Sequence, residues 1–201
     1  MLIIGITGPS GAGKGAVSAY LANKYGFRII DADKVYHGII SRPSDCVREL
    51  SSTFGDDILN EMGGIDRKKL SYKVFGDENR DKLLLLNKIT HKYVISEIEK
   101  TVRDYSENGV TVCVIDAPLL IEAGVNKMCD FSIAVISDKS IRAERIAKRD
   151  GIDLEAALLR INSQKPNEYY EKNCDCLLQN DLDMESLEKS VDNCLRVGAI
   201  I

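Results

Sequence analysis

A short glycine-rich loop that ends in lysine constrains the fold of this chain more than any other feature of the sequence. Residues 8–14 read GPSGAGK and directly follow the apolar stretch Leu2–Thr7. They fit the pattern G-x-x-x-x-G-K, in which glycines let backbone amides approach an anion and the lysine adds positive charge. The helix-like stretch Lys14–Tyr25 comes next, and a helix that begins at such a loop contributes further unpaired amides. A chance glycine-rich turn is the other interpretation, but the strand-loop-helix context favours a nucleotide phosphate site.

The apolar segments predict a parallel sheet. After the first strand, short apolar runs, most of them rich in Ile and Val, cover residues 27–33, 110–116, 131–137 and 174–180. Continuous apolar runs of this length are typical of strands buried on both faces, and a helix between the first two makes a βαβ unit. We therefore predict an α/β protein with a three-layer α/β/α fold and about five parallel strands. It forms a single domain over 1–201, with a core of 1–35, 110–145 and 172–201.

Two segments outside this core are predicted to be helical. The stretch 36–108 contains no convincing strand and shows helical periodicity, so we interpret it as an insertion that completes a substrate pocket. Residues 138–172 are again helical and dense in charge, and within them 146–171 are predicted to form a lid. A last helix is expected at about 184–196, after the fifth strand.

Composition narrows the class of protein. The chain has 201 residues, a net charge of −4 and 44% hydrophobic residues, which argues against a disordered tail or a basic nucleic-acid binder. No apolar run approaches the roughly 18 residues of a membrane helix, and Met1 leads straight into a strand without a basic flank. We expect a cytoplasmic protein, a monomer or small homo-oligomer, with no nucleic-acid or membrane partner. The six cysteines are expected to be reduced core residues rather than disulfides or zinc ligands.

The loop departs from its pattern at one point. The residue after the lysine is normally Ser or Thr, whose hydroxyl binds Mg²⁺, but here Gly15 and Ala16 follow. Glycine after the lysine also occurs in nucleoside monophosphate kinases, which this loop resembles. Ser10 and Ser18 carry hydroxyls nearby, and the sequence leaves open whether either reaches the ion. We expect Mg²⁺ to be held mainly by phosphates and water, and ATP to be bound by Gly11, Ala12, Gly13, Lys14, Gly15 and Ala16.

Carboxylates stand at the ends of two predicted strands, at the sheet edge where parallel α/β proteins bind ligands. Asp31 and Asp33 end the second strand, and Asp33 could accept a proton from an attacking hydroxyl. The other interpretation is that they cap the next helix. Asp116 ends the third strand, where an acid can hold a water bound to Mg²⁺; a strand-end cap is the alternative.

Together these motifs resemble dephospho-coenzyme A kinases. The resemblance includes the phosphate loop, the string DAD at 31–33, FGDDIL at 54–59, GIDRKKL at 64–70, PLLIE at 118–122, the stretch 145–164 and CDCLLQN at 174–180. It runs nearly from end to end. The chain departs from the family in having His91-Lys92 where His-Pro is usual and Lys14-Gly15-Ala16 where Lys-Ser-Thr is usual.

The resemblance implies ATP-dependent phosphorylation of the ribose 3′-hydroxyl of dephospho-coenzyme A, with ATP and Mg²⁺ as cofactors. It makes Asp33 the base, beside Lys14 and Arg149 as catalytic residues. Arg145 and Arg149 fit a lid over the phosphates, and Asn180 could border the adenine or serve a turn. The acceptor-binding residues implied are Asp31, Asp33, His91, Pro118, Leu119, Leu120 and Glu122, although a packed or surface histidine is an equal interpretation of His91.

Two other functions stay open at this point. The loop sequence also suggests a cytidylate-type nucleoside monophosphate kinase, but a phosphate acceptor calls for arginines rather than a carboxylate base. The missing Ser or Thr suggests a non-catalytic ATP-binding regulatory relative, which Lys14, Asp33 and Asp116 together argue against.

Overall fold

The computed structural model describes residues 1–76 and 79–201, and within these ranges five strands form one sheet. The strands are β1 (Leu2–Thr7), β2 (Arg28–Asp31), β3 (Val112–Asp116), β4 (Phe131–Ile136) and β5 (Cys176–Gln179). Their order is β2-β3-β1-β4-β5, and β1 pairs in parallel with both β3 and β4, as β4 does with β5. The predicted α/β fold with a five-stranded parallel sheet is confirmed.

The helices lie in the stretches that were predicted to be helical, except that α2 begins inside the predicted second strand. The bounds are α1 Lys14–Tyr25, α2 Ala32–Ile40, α3 Asp45–Phe54, α4 Arg67–Val74, α5 Arg80–Glu107, α6 Lys139–Asp150, α7 Leu154–Asn162, α8 Asn167–Asn173 and α9 Met184–Val197. Short 3₁₀ helices cover Asp56–Ile58 and Val125–Met128. In the part of the chain that is described, every helix is too short or too polar to span a bilayer.

The chain divides into two compact units, one made of Met1–Ile30 and Tyr105–Ile201 and the other of Asp31–Asp104. The first unit is built around the sheet. Ile4 of β1, Val114 of β3 and Ile133 of β4 are fully buried, and Leu21 of α1 and Val191 of α9 belong to the same apolar cluster. Burial on both faces is what the unbroken apolar strands predicted. The loop after β1 therefore extends from the most deeply packed part of this unit.

The second unit, Asp31–Asp104, is helical. Three of its helices begin at residues whose side-chain oxygens accept a hydrogen bond from a first-turn amide: Asp31 for α2, Ser44 for α3 and Asp66 for α4. This unit has an apolar core of its own, formed by the buried residues Ile40, Cys46, Val47, Leu50, Ile58, Ile65, Leu70, Val74, Leu86 and Ile89.

The second strand is shorter than predicted. We expected it to run through residue 33, but it ends at Asp31, and Ala32 and Asp33 already belong to α2. The side chain of Asp31 accepts a hydrogen bond from the Lys34 amide at 3.0 Å and so begins the helix. Local capping chemistry outweighs the apolar pattern here.

The prediction of six reduced cysteines is wrong for one pair. Cys176 of β5 and Cys194 of α9 form a disulfide. Because α9 packs against β5, both residues lie in one apolar cluster, with Cα atoms 6.3 Å apart. A separation of 18 residues carries no sequence pattern that reports this packing. The remaining cysteines, Cys46, Cys113, Cys129 and Cys174, are free thiols.

Candidate active site

The loop between β1 and α1 has a backbone that requires glycine. Gly8 has φ of +141° and Gly13 has φ of +100°, conformations that other residues rarely adopt. A Cβ on Gly8 would lie 2.0 Å from the carbonyl oxygen of Val135 in β4, so the loop begins in close contact with the sheet. The side chain of Lys14 turns back toward the start of the loop, and its Nζ donates to the carbonyl oxygen of Gly8 at 2.8 Å. The loop thus has a backbone that depends on glycine, as the phosphate-binding pattern predicts.

Asn180, which follows β5, is hydrogen-bonded to the backbone of this loop. Its side chain is 7% exposed, and its Nδ2 donates to the carbonyl oxygen of Ala12 at 2.7 Å. A Cβ on Gly13 would lie 2.1 Å from the same Nδ2. The structure therefore brings Asn180 to the loop backbone, and contact with an adenine stays a prediction.

A buried arginine that sequence reasoning did not single out also holds the loop. The Arg142 side chain on α6 is 5% exposed, and its Nε donates to the carbonyl oxygen of Ser10 at 2.9 Å. Its Nη2 donates to Oε1 of Gln164 at 2.5 Å, and the Ser10 amide donates to that oxygen at 3.2 Å. Burial lowers the pKa of the Arg142 guanidinium. Its spacing of four residues from the buried Ile146 is the signal that could have placed it on the inner face of α6.

Asp116 is hydrogen-bonded by a serine of α1. It is the last residue of β3, next to β1, and its Oδ2 accepts a hydrogen bond from Oγ of Ser18 at 2.6 Å. Ser18 is 6% exposed, whereas Gly15 is exposed and a Cβ built on it would meet nothing within 4 Å. The sequence left the reach of the Ser18 hydroxyl open, and the structure places it on Asp116.

The side-chain oxygens of Asp116 and Ser18 are of the kind that binds a hard cation. A carboxylate and a hydroxyl are ligand types that Mg²⁺ accepts in proteins, usually with phosphates and water completing its shell. Within residues 1–76 and 79–201, no group of three or more His, Cys, Asp or Glu side chains could hold a metal alone. The fit to magnesium rests on the side-chain oxygens of Asp116 and Ser18, and binding of the ion stays a prediction.

Arg145 and Arg149, on the outer part of α6, both lie near the loop. The Nη1 of Arg145 is 3.4 Å from the carbonyl oxygen of Gly11 and 3.4 Å from Oγ of Ser137. The Nη2 of Arg149 is 3.5 Å from Oγ of Ser10. These long contacts place two guanidinium groups beside the phosphate loop without binding them firmly to it.

The carboxylate of Asp150 pairs with two arginines, Arg149 and Arg160. It accepts from Nε of Arg149 at 2.7 Å and from Nη2 of the same residue at 3.0 Å, and it is also paired with Arg160 of α7. The hydrogen bond from Arg149, followed by that from Arg160, lowers the pKa of Asp150 to about 2. Arg149 and Arg160 are thus held by a carboxylate that a bound polyphosphate would have to replace.

The segment 118–122 after β3 divides into packed and exposed residues. Thr7 donates from Oγ1 to the carbonyl oxygen of Pro118 at 3.1 Å, which fixes the start of the segment to β1. Leu119 is 44% exposed and Glu122 is exposed. Leu120 is fully buried, and a Cβ on Gly5 would lie 2.7 Å from its Cδ2. We therefore correct the role predicted for Leu120: it anchors the segment and offers no surface to an acceptor.

The other predicted acceptor residues belong to the helical unit. Asp31 caps α2 and pairs with Lys34 at 3.2 Å, which is the capping role that the sequence left open. Asp33 lies in the first turn of α2 and is exposed. His91 is half-buried within α5. The carboxylate of Asp33 is thus available to solvent and to ligands.

Comparisons with known proteins agree over nearly the whole chain. A family model described as dephospho-CoA kinase matches residues 2–186, a range that contains every predicted site residue. A dephospho-CoA kinase of Fusobacterium nucleatum is 42% identical over 192 residues, 96% of this chain and 96% of that protein. One from Carboxydothermus hydrogenoformans is 38% identical over 189 residues, 94% of this chain and 90% of that protein.

A solved structure extends the similarity to three dimensions. The protein TT1252 from Thermus thermophilus has a TM-score of 0.78 with this chain at 27% identity, covering 98% of this chain and 97% of its own.

Proposed function

The chain belongs to the dephospho-CoA kinase family, and we propose how its residues perform the phosphoryl transfer of that family. It is a kinase that phosphorylates dephospho-CoA in coenzyme A synthesis. The cytidylate-type and regulatory alternatives are not favoured, because the matching relatives are dephospho-CoA kinases. The observation that carries the proposal is the glycine-dependent phosphate loop at the end of β1, within a family match over residues 2–186.

We propose that the loop from Gly11 to Ala16 binds the phosphates of ATP. The backbone amides and the N-terminus of α1 supply partial positive charge, and Lys14 supplies a full one. In the structure Nζ of Lys14 donates to the carbonyl oxygens of Gly8 at 2.8 Å and Pro9 at 3.4 Å. ATP binding exchanges these carbonyls for phosphate oxygens, which are stronger partners because they are charged.

Asp116 is the residue that would hold magnesium, through a water molecule. When bound, the ion would supply positive charge that offsets the negative charge of the phosphates. The contribution of this chain is a carboxylate fixed at the end of β3 and oriented by a hydrogen bond of 2.6 Å from Ser18.

Asp33 is proposed as the base. The acceptor hydroxyl oxygen forms a bond to the γ-phosphorus of ATP, and the bond from that phosphorus to the β,γ-bridging oxygen breaks, so ADP leaves. The hydroxyl proton passes to Asp33. The exposed position of Asp33 in the first turn of α2 supports this role, since its neighbour Asp31, and not Asp33, caps the helix.

The remaining residues are proposed to bind the acceptor and to close over the phosphates. Arg145 and Arg149 neutralise phosphate charge, and the segment 146–171 acts as the lid of a single kinase domain, excluding water. The exposed Leu119 and Glu122, the Pro118 backbone, Asp31 and His91 contribute to the acceptor site. A cytoplasmic location and a monomer or small homo-oligomer are predictions that rest on the sequence.

The substitution Asp33→Asn tests the assigned base. It keeps the size and polarity of the side chain but removes the proton acceptor, so turnover should fall about 10²- to 10⁴-fold while ATP affinity stays within twofold. Asp45→Asn is the matched control, because Asp45 is also exposed and lies in the first turn of a helix, α3. Near-normal turnover of Asp33→Asn would contradict the assignment.

A further inference from the structure

The phosphate loop of this chain lacks a hydroxyl where its pattern normally has one. In G-x-x-x-x-G-K-[ST] the Ser or Thr hydroxyl contacts Mg²⁺. Here Gly15 and Ala16 stand at these positions, and neither carries a side-chain oxygen. If a magnesium–ATP complex binds this loop, a different side chain has to position the protein groups that hold the ion.

Ser18 supplies a hydroxyl one helical turn further on. It lies three residues after Gly15 on α1, and residues three apart lie on the same face of a helix. Its Oγ donates to Oδ2 of Asp116 at 2.6 Å, the length of a hydrogen bond strengthened by charge. The side chain is 6% exposed, so the bond is largely shielded from competing water.

Ser10, the other hydroxyl near the loop, is already used differently. Its amide donates to Gln164, its carbonyl oxygen accepts from Arg142, and its Oγ lies 3.5 Å from Arg149. These contacts tie Ser10 to α6 and to Gln164, whereas Ser18 contacts the acid at the end of β3. Of the two serines, Ser18 is the one directed at the proposed metal position.

We infer that Ser18 is a positioning residue for magnesium–ATP: by fixing the Asp116 carboxylate it compensates for the hydroxyl missing at residue 15. This inference rests on the proposed role of Asp116. It differs from a purely structural role, in which the Ser18 hydroxyl only finds a partner for burial. A structural role predicts a loss of stability alone, and a positioning role predicts a change in the dependence on magnesium.

The substitution Ser18→Ala separates the two roles. We expect the affinity for Mg²⁺ in the complex with ATP to fall about tenfold. This is the lower end of the effect that outer-shell partners have on the affinity of a metal site. ATP binding without Mg²⁺ should stay unchanged, because the loop amides and Lys14 are untouched. Calorimetric titration of ATP at several Mg²⁺ concentrations, and of Mn²⁺ as a probe ion, measures this without relying on turnover.

Ser190→Ala is the matched control. Ser190 is also a helical serine, half-buried where Ser18 is buried, but its Oγ donates to the carbonyl oxygen of Ser186 at 2.9 Å, within α9. It should leave the Mg²⁺ dependence unchanged. If Ser18→Ala proves too unstable to assay, Ser18→Cys keeps the volume with a weaker donor and should show the same direction of change.

A rescue experiment tests the inference more strictly. Because a Cβ on Gly15 meets nothing within 4 Å, Gly15→Ser fits the loop and returns a hydroxyl to the usual position. In the Ser18→Ala background it should recover most of the lost Mg²⁺ dependence. An unchanged Mg²⁺ dependence in Ser18→Ala would overturn the inference while leaving the kinase function intact. An unchanged dependence in Asp116→Asn would instead remove the proposed role of Asp116 on which the inference rests.

Discussion

Buried Arg142 and half-buried Gln164 form a pair that joins α6 to the phosphate loop: Nη2 of Arg142 donates to Oε1 of Gln164 at 2.5 Å. The same oxygen accepts from the amide of Ser10, and Arg142 donates to the Ser10 carbonyl oxygen. Both backbone groups of Ser10 are thus fixed by side chains from distant parts of the sequence. The shape of the loop depends on this pair as well as on its own glycines.

Removing Gln164 should therefore loosen the loop. Gln164→Ala takes a hydrogen-bond partner from Arg142, a residue that is 5% exposed, which should lower the free energy of unfolding by about 1–3 kcal/mol. Because Ser10 also loses a partner, the KM for ATP should rise several-fold. Urea unfolding and ATP titration measure the two effects.

Gln164→Glu provides the control for this prediction. It keeps an acceptor oxygen in place and adds a charge opposite to that of Arg142, so stability and the KM for ATP should stay close to those of the original chain. If Gln164→Ala and Gln164→Glu behave alike, the hydrogen bond to Ser10 does not hold the loop.

Gly13 should not tolerate a side chain. Gly13→Ala places a Cβ 2.1 Å from Nδ2 of Asn180 in a backbone with φ of +100°, so the loop or Asn180 has to move. We expect a loss of stability of about 1–2 kcal/mol from the backbone alone and at least a tenfold loss of ATP affinity. Thermal unfolding and calorimetric ATP titration provide the readouts.

Gly124→Ala separates backbone strain from the clash. Gly124 also has positive φ, at +74°, but a Cβ there meets nothing within 4 Å. It should lose a similar stability and keep its ATP affinity. Equal ATP affinity in the two variants would mean that the contact between Gly13 and Asn180 does not shape the site.

The cluster of Arg149, Asp150 and Arg160 should persist into acid. Since Arg149 lowers the pKa of Asp150 to about 2, compared with an ordinary value of 3.8, the folded state binds a proton less readily than the unfolded state. The contribution of the cluster to the stability of the folded state is complete above about pH 4 and is lost as the pH falls through about 2. Carboxyl ¹³C shifts of Asp150, followed by NMR between pH 5 and the onset of acid unfolding, should still show an ionised group at pH 3. A midpoint near 4 would show that the arginines do not hold this carboxylate.

The free thiols should react slowly in the folded protein. Burial raises the pKa of Cys113 and Cys174 to about 11 and that of Cys129 to about 12, so little thiolate exists at pH 8. Iodoacetamide should label them far more slowly than a free cysteine. In denaturant, mass spectrometry should find four labelled cysteines before reduction and six after it. Six labelled cysteines without reduction would contradict the Cys176–Cys194 pair.

The sequence predicted most of the architecture because the strands carry their own signal. Short, mainly apolar runs rich in Ile located β1 and β4, and helical periodicity with Gly26 as its end gave the bounds of α1. The end of β2 was missed because a local contact, the Asp31 cap on α2, decides it.

The site was predictable where its chemistry lies in one short segment. The phosphate loop and the acid at the end of β3 could be identified from residue type and position. The contacts of Arg142 with Ser10, of Asn180 with Ala12 and of Ser18 with Asp116 join residues 132, 168 and 98 positions apart. Such pairings come from tertiary packing, and a single sequence contains no pattern that specifies them. The burial of Leu120 was missed for the same reason, because its neighbour Gly5 lies on β1, far away in the sequence.

The identity of the phosphate acceptor tests the central claim most directly. ADP release with ATP and Mg²⁺ should be measured with dephospho-CoA, CMP, AMP or no acceptor, and the product identified by mass spectrometry and ³¹P NMR. We predict release that depends on dephospho-CoA and a product with one new phosphomonoester on the ribose 3′-oxygen. Release that depends on CMP or AMP, or ATP binding without transfer to any acceptor, would contradict this account.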